Sequence, residues 1–227
     1  MDLRRRVGGS FIRLPILCPV ILWHALIAGW PSRAHVASEL AITMDMVPYL
    51  GVICVVLSWL AGAYMLRRWR GTHDMSISLH AASARGAYVI FASVLTLGGG
   101  LFMFFLYSYF MPKLRLGSDF GALLALAFAG QVIAAWVPDS TNLRHWRSRV
   151  HKSAAWFMAV LFIPMALFIT ASPYLSLVAR TIDVACVGYM IGAFTYWILS
   201  RNKTKFLIHQ VLYIIAFQIC ILASAYS

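Results

Sequence analysis

Two polar stretches hold most of the side chains capable of chemistry. "RRWRGTHDMSISLHAASARG", residues 67–86, carries His73, Asp74, Ser76, Ser78 and His80, and "VPDSTNLRHWRSRVHKSAAW", residues 137–156, carries Asp139, His145 and His151. Imidazole and carboxylate groups bind catalytic metals, and a serine beside a histidine and an aspartate can form a hydrolase site. His73, Asp74, His80, Asp139 and His151 are therefore candidate catalytic residues of a membrane-embedded lipid hydrolase. His73, His80, Asp139 and His151 are the candidate metal ligands. Spacing argues for less: His145 and His151 are six apart and face different ways on a helix, and neither H-x-x-x-H nor H-E-x-x-H occurs. His73 and His80, seven apart, could share a helical face. An interfacial polar cluster is the plainer reading.

A second oddity is Asp183, which falls inside an otherwise apolar block. An acid at membrane depth is costly and is a functional candidate by default. Arg180, three residues earlier, can pair with it while reaching the interface, so an intramembrane ion pair of Arg180 and Asp183 is expected. The alternative is a transporter with Asp183 as its coupling acid. Gln131 is a strongly polar side chain near the middle of another block that could join such a relay.

The elements that must position these residues follow from composition. The chain has 227 residues, 62% hydrophobic and 11% charged, with a mean hydropathy of +0.80. Its apolar residues come in blocks near the ~20 needed to cross hydrocarbon as helix. The blocks run from Leu14 to Trp30, Val47 to Leu66, Ala87 to Phe110, Phe120 to Val137, Ser153 to Ala171, Leu175 to Leu199, and Phe206 to Ala225. They are apolar on every side, whereas barrel strands alternate. The expected fold is an all-α polytopic transmembrane bundle of six spans over residues 47–227. Residues 1–46 form an N-terminal segment holding either a seventh span or a signal peptide. Arg4, Arg5 and Arg6 before a short apolar run, then Ser32 and Ala34, suit a cleaved leader; a retained span suits the topology.

Alternating the loops between two sides sorts the cations sharply. Arg4, Arg5, Arg6, Arg13, Arg67, Arg68, Arg70, Arg85, Arg144, Arg147, Arg149, Lys152, Arg201, Lys203 and Lys205 fall on one side; Arg33, Lys113, Arg115 and Arg180 fall on the other. The positive-inside rule places the first group in the cytoplasm of a plasma (inner) membrane protein. The N-terminus is then cytoplasmic if the first span is retained, and the C-terminus lies outside. Such a rim attracts anionic headgroups, so the net charge of +12 needs no nucleic acid to explain it. Arg144, Arg147, Arg149 and Lys152 are the expected headgroup ligands. Pro138 should end the fourth span, and Asp139, Ser140, Thr141 or Asn142 should cap the next helix.

Packing in lipid favours small residues, so Gly188 with Gly192, and the run Gly98, Gly99 and Gly100, are expected at helix contacts. Pro164 should kink the fifth span. Cys18, Cys54, Cys186 and Cys220 stand singly and suggest neither zinc nor disulfides. A retinal reading lacks a lysine within a late span, and a haem reading has only His24 and His209 near apolar blocks. No cofactor is assigned.

From Val47 onward the chain resembles a family of six-span bacterial membrane proteins, a domain of unknown function distantly akin to the DRAM-like superfamily. The resemblance rests on "ISL" at Ile77 to Leu79, and on Pro138, Asp139 and His151 within the second polar stretch. It implies a six-helix unit with an extra N-terminal segment, and no established reaction. The leading expectation is a non-catalytic membrane protein that associates with or handles lipid.

Overall fold

The computed structural model describes residues 37–69, 75–139, 146–199 and 205–227, with side chains from residue 46 onward. The first-span or leader question, His73, Asp74, Arg144 and His145 lie outside the described residues. The chain divides into two compact units, residues 1–42 and 43–227, and the second holds the bundle.

Helices occupy the six apolar blocks from Val47 onward because only a helix satisfies its own backbone in hydrocarbon. Among the described residues six are long and apolar enough to cross a membrane. In chain order the helices are α1 (Ala37–Arg68), the short α2 (Ile77–Ala82), α3 (Arg85–Leu114), α4 (Ser118–Trp136), α5 (Trp146–Thr170), α6 (Leu177–Leu199) and α7 (Phe206–Ala225). Among the described residues there is no strand. The spans end at local breakers: Arg115 in left-handed geometry (φ 51°) after α3, Pro138 after α4, and Lys205 (φ 66°) before α7. The helix α3 outruns its apolar block, continuing to Leu114 through Pro112. Pro164 lies within α5, which continues from Trp146 to Thr170.

Short connections make successive spans antiparallel neighbours, with α4 on α5 and α6 on α7 the most extensive pairs. Gly130 permits the first, since a Cβ there would meet the Ala154 carbonyl oxygen at 3.2 Å. The helix α1 joins through side chains: Trp59 Nε1 donates to Gln218 Oε1 (2.5 Å), and Tyr226 OH donates to the Pro48 carbonyl.

Alternation defines two ends. One gathers the end of α1, α2, the starts of α3, α5 and α7, and the ends of α4 and α6. The main core lies toward the opposite end, where Phe105, Phe110, Leu114, Phe120, Ile169, Cys220 and Ile221 are buried together. Phe162 stacks on Phe217 deeper in the bundle, with ring centroids 4.1 Å apart and planes 5° from parallel. Dispersion between such surfaces, rather than removal from water, holds helices together in lipid. Among the described residues the first end has a small satellite cluster of Met65, Ala81 and Ala87.

Two π-helical turns interrupt α3, at Val94–Gly98 and Leu106–Phe110. The first meets α4: Gln131 Nε2 donates to the Leu95 carbonyl (2.6 Å) and Trp136 Nε1 to Thr96 Oγ1 (2.9 Å). Gly99 makes room for this, because a Cβ there would collide with Gln131 Nε2. Gly188 and Gly192 differ from expectation. Both are exposed, and among the described residues a Cβ at either meets nothing within 4 Å, so no described helix packs closely on that stripe.

Candidate functional site

The first end brings together the described parts of both polar stretches. Ser76 caps α2, its Oγ accepting from the Leu79 amide (3.2 Å), and the Ile77 amide donates to Gln210 Oε1 of α7 (3.1 Å). His80 is buried, with Nδ1 3.4 Å from the Trp69 carbonyl at the end of α1. The cap and these bonds dock α2 between α1 and α7.

Across the α4–α5 turn, Asp139 is buried. Ser148 Oγ donates to its Oδ1 (2.8 Å), and Lys152 Nζ lies 3.9 Å from the same oxygen. Both partners sit in the opening turns of α5, where a carboxylate also complements the positive end of the helix dipole. His151, also buried, places Nδ1 2.8 Å from the Val137 carbonyl, the first residue past α4. Asp139 and His151 thus tie the end of one span to the start of the next. Of the five candidate catalytic residues, His80, Asp139 and His151 are described, and each has a structural neighbour of this kind. Among the described residues no group of three histidine, cysteine or acidic side chains could hold a metal. His80 belongs to the α1–α2 junction, and His151 and Asp139 to the α4–α5 turn, while His73, the fourth candidate ligand, lies outside the described residues. Ser148, which anchors Asp139, was missed from sequence, where a serine nine residues beyond an acid carries no signal.

The cations at this end point outward. Arg67, Arg68, Arg85, Arg147, Arg149 and Lys205 are exposed, and the Lys152 side chain is 38% exposed. The Arg147 guanidinium lies 5.6 Å from the Trp146 ring centre and that of Arg68 5.6 Å from Trp69, in the manner of interfacial cation–π pairs. The side chains of Arg67, Arg85, Arg149 and Lys205 have no hydrogen bond or ion pair among the described residues. At the opposite end every described cation is engaged. Lys113 Nζ donates to the carbonyls of Ala225 (2.7 Å) and Ser227 (3.1 Å), Arg115 Nη1 to Tyr174 OH (2.7 Å), and Arg180 Nη2 to the Ser172 carbonyl (2.9 Å).

That last contact corrects the expected Arg180–Asp183 ion pair. Arg180 is exposed and reaches back along the interface, while Asp183 is fully buried on the inner face of α6. The carboxyl is held from α7 instead: Ser224 Oγ donates to Asp183 Oδ2 (2.7 Å), and the Cys220 thiol adjoins it. Its Oδ1 has no hydrogen-bond partner among the described residues. Gln131, occupied with Leu95, shares no hydrogen bond with Asp183.

Comparison of the chain with models of known families, with characterised proteins and with solved structures finds no match.

Proposed function

We propose that this integral membrane protein associates with anionic lipid through its basic end, which faces the cytoplasm, and that this association is not catalytic. The observation that carries the reading is the unequal engagement of cations: Lys113, Arg115 and Arg180 are bonded to the protein, whereas Arg67, Arg85 and Arg149 stand exposed and uncommitted among the described residues. An ammonium or guanidinium without a protein acceptor is available to phosphate, and each contributes about 1 kcal/mol near an anionic surface. Trp136 and Trp146, exposed at the same level, suit the headgroup region. The bonds of His80, Asp139 and His151 to neighbouring chain support a structural role for the polar cluster beneath.

The test uses the full chain in nanodiscs of phosphatidylcholine with added phosphatidylglycerol, reading the enrichment of the anionic lipid around the protein. The wild type is expected to enrich phosphatidylglycerol, less so in high salt, and the combined Arg67→Ala, Arg85→Ala, Arg149→Ala variant to lose most of that enrichment. Undiminished enrichment in the variant would refute the proposal.

A further inference from the structure

Between α6 and α7, opening at the basic end, lies a groove of about 490 Å³ lined by Tyr189, Gly192, Ala193, Tyr196, Lys205 and His209. The α6 residues recur at helical spacing and so share one face, and Lys205 and His209 stand one turn apart at the start of α7. The mouth is cationic. Lys205 is exposed, and its ammonium has no hydrogen bond or ion pair among the described residues. The His209 ring lies 5.0 Å from that of Tyr196, and its Nδ1 is 3.4 Å from Tyr189 OH. No partner of His209 Nε2 is found among the described residues.

Beneath the mouth the lining turns apolar and bare. Among the described residues nothing stands within 4 Å of a Cβ built on Gly192, nor on Gly188, which continues the same helix stripe one turn beyond the groove's lining. At 1.5 Å per residue, Tyr189 lies about 15 Å along the helix from Leu199, so the groove extends from headgroup level into the depth of the acyl chains. A soluble anion would use the mouth and leave the floor empty. A neutral hydrocarbon would use the floor and leave Lys205 unmatched. A molecule carrying a phosphate at one end and an alkyl chain at the other uses both, and the volume falls in the ordinary range of small-molecule sites, ~300–1,000 Å³.

We infer that this groove binds one anionic phospholipid, its phosphate at Lys205 and His209 and an acyl chain along Gly192 and Gly188. The inference rests on the reading that the basic end faces anionic lipid, but it asks for a single saturable site where that reading asks only for a charged rim. Two substitutions test it without threatening the fold. Gly192→Leu adds a side chain into space that no other group fills, and leucine is the better helix former. Lys205→Gly removes the charge at a φ of 66°, a conformation glycine adopts more readily than lysine.

The full chain is titrated in detergent with phosphatidylglycerol, phosphatidylcholine or glycerol 3-phosphate, and retained molecules are counted by native mass spectrometry. The wild type should retain one phosphatidylglycerol per chain, with Gly192→Leu and Lys205→Gly each lowering that occupancy at least tenfold. The combined Arg67, Arg85 and Arg149 variant should keep it. Undiminished retention by both groove variants, equal retention of phosphatidylcholine, or displacement by glycerol 3-phosphate alone would overturn the inference, the last marking a free-phosphate site. So would loss of a dimer on Gly192→Leu, which would mark a second copy as the occupant. Failure of the rim reading shows separately, as anionic enrichment in nanodiscs that survives loss of the three arginines.

Discussion

The two ends of the bundle use the same residue types in opposite ways. At the end formed by the α3–α4 and α5–α6 connections, lysine and arginine close the structure. Lys113 holds the last turn of α7, Arg115 lies over the Tyr174 ring at 4.6 Å and bonds its hydroxyl, and Arg180 fastens the α5–α6 turn. At the other end the fastening is done by buried groups, Asp139 with Ser148 and His151 with Val137, while exposed cations surround them. A cation whose donors are spent on carbonyls is part of the scaffold. One with its donors free is a surface for something else.

Substitutions can break or sharpen this contrast. The largest effect should come from Asp139→Ala, which removes the acceptor of Ser148 Oγ and the counter-charge of Lys152. A loss of about 2 kcal/mol is expected, seen as a lower unfolding midpoint in mild detergent. Lys113→Ala should cost about 1 kcal/mol by freeing the Ala225 and Ser227 carbonyls, with faster amide exchange confined to the end of α7. Arg149→Ala, at the open end, should change stability by less than about 0.5 kcal/mol, because no described contact is lost. If Arg149→Ala destabilised the protein as much as Lys113→Ala, the distinction between fastening and free cations would collapse.

Hydropathy made the spans legible. The last two apolar blocks end where α6 and α7 end, at Leu199 and Ala225, because the length of hydrocarbon to be crossed and the need for internal backbone bonding leave little else for such runs to form. Charge placement likewise separated the two ends. Sequence reading went astray where a partner comes from another helix. Proximity along the chain pointed Asp183 to Arg180, yet its acceptor oxygen meets Ser224, 41 residues away on α7, and only the pairing of α6 with α7 brings them to one level. Gly188 and Gly192 matched a packing pattern, but the pattern does not say which surface a helix turns to its neighbours. The groove was equally hidden, since Tyr196 and His209 belong to different apolar blocks and meet only through the fold.

The bond between Gln131 and the Leu95 carbonyl bears on how the chain enters its membrane. A primary amide alone in hydrocarbon costs a few kcal/mol, so α4 inserted by itself would carry that burden within its span. Leaving the translocation machinery together with α3 relieves it at once, because the acceptor arrives on the preceding helix. The Gln131 side chain thus favours release of α3 and α4 as a hairpin. Replacing it with leucine would let the two helices partition one at a time.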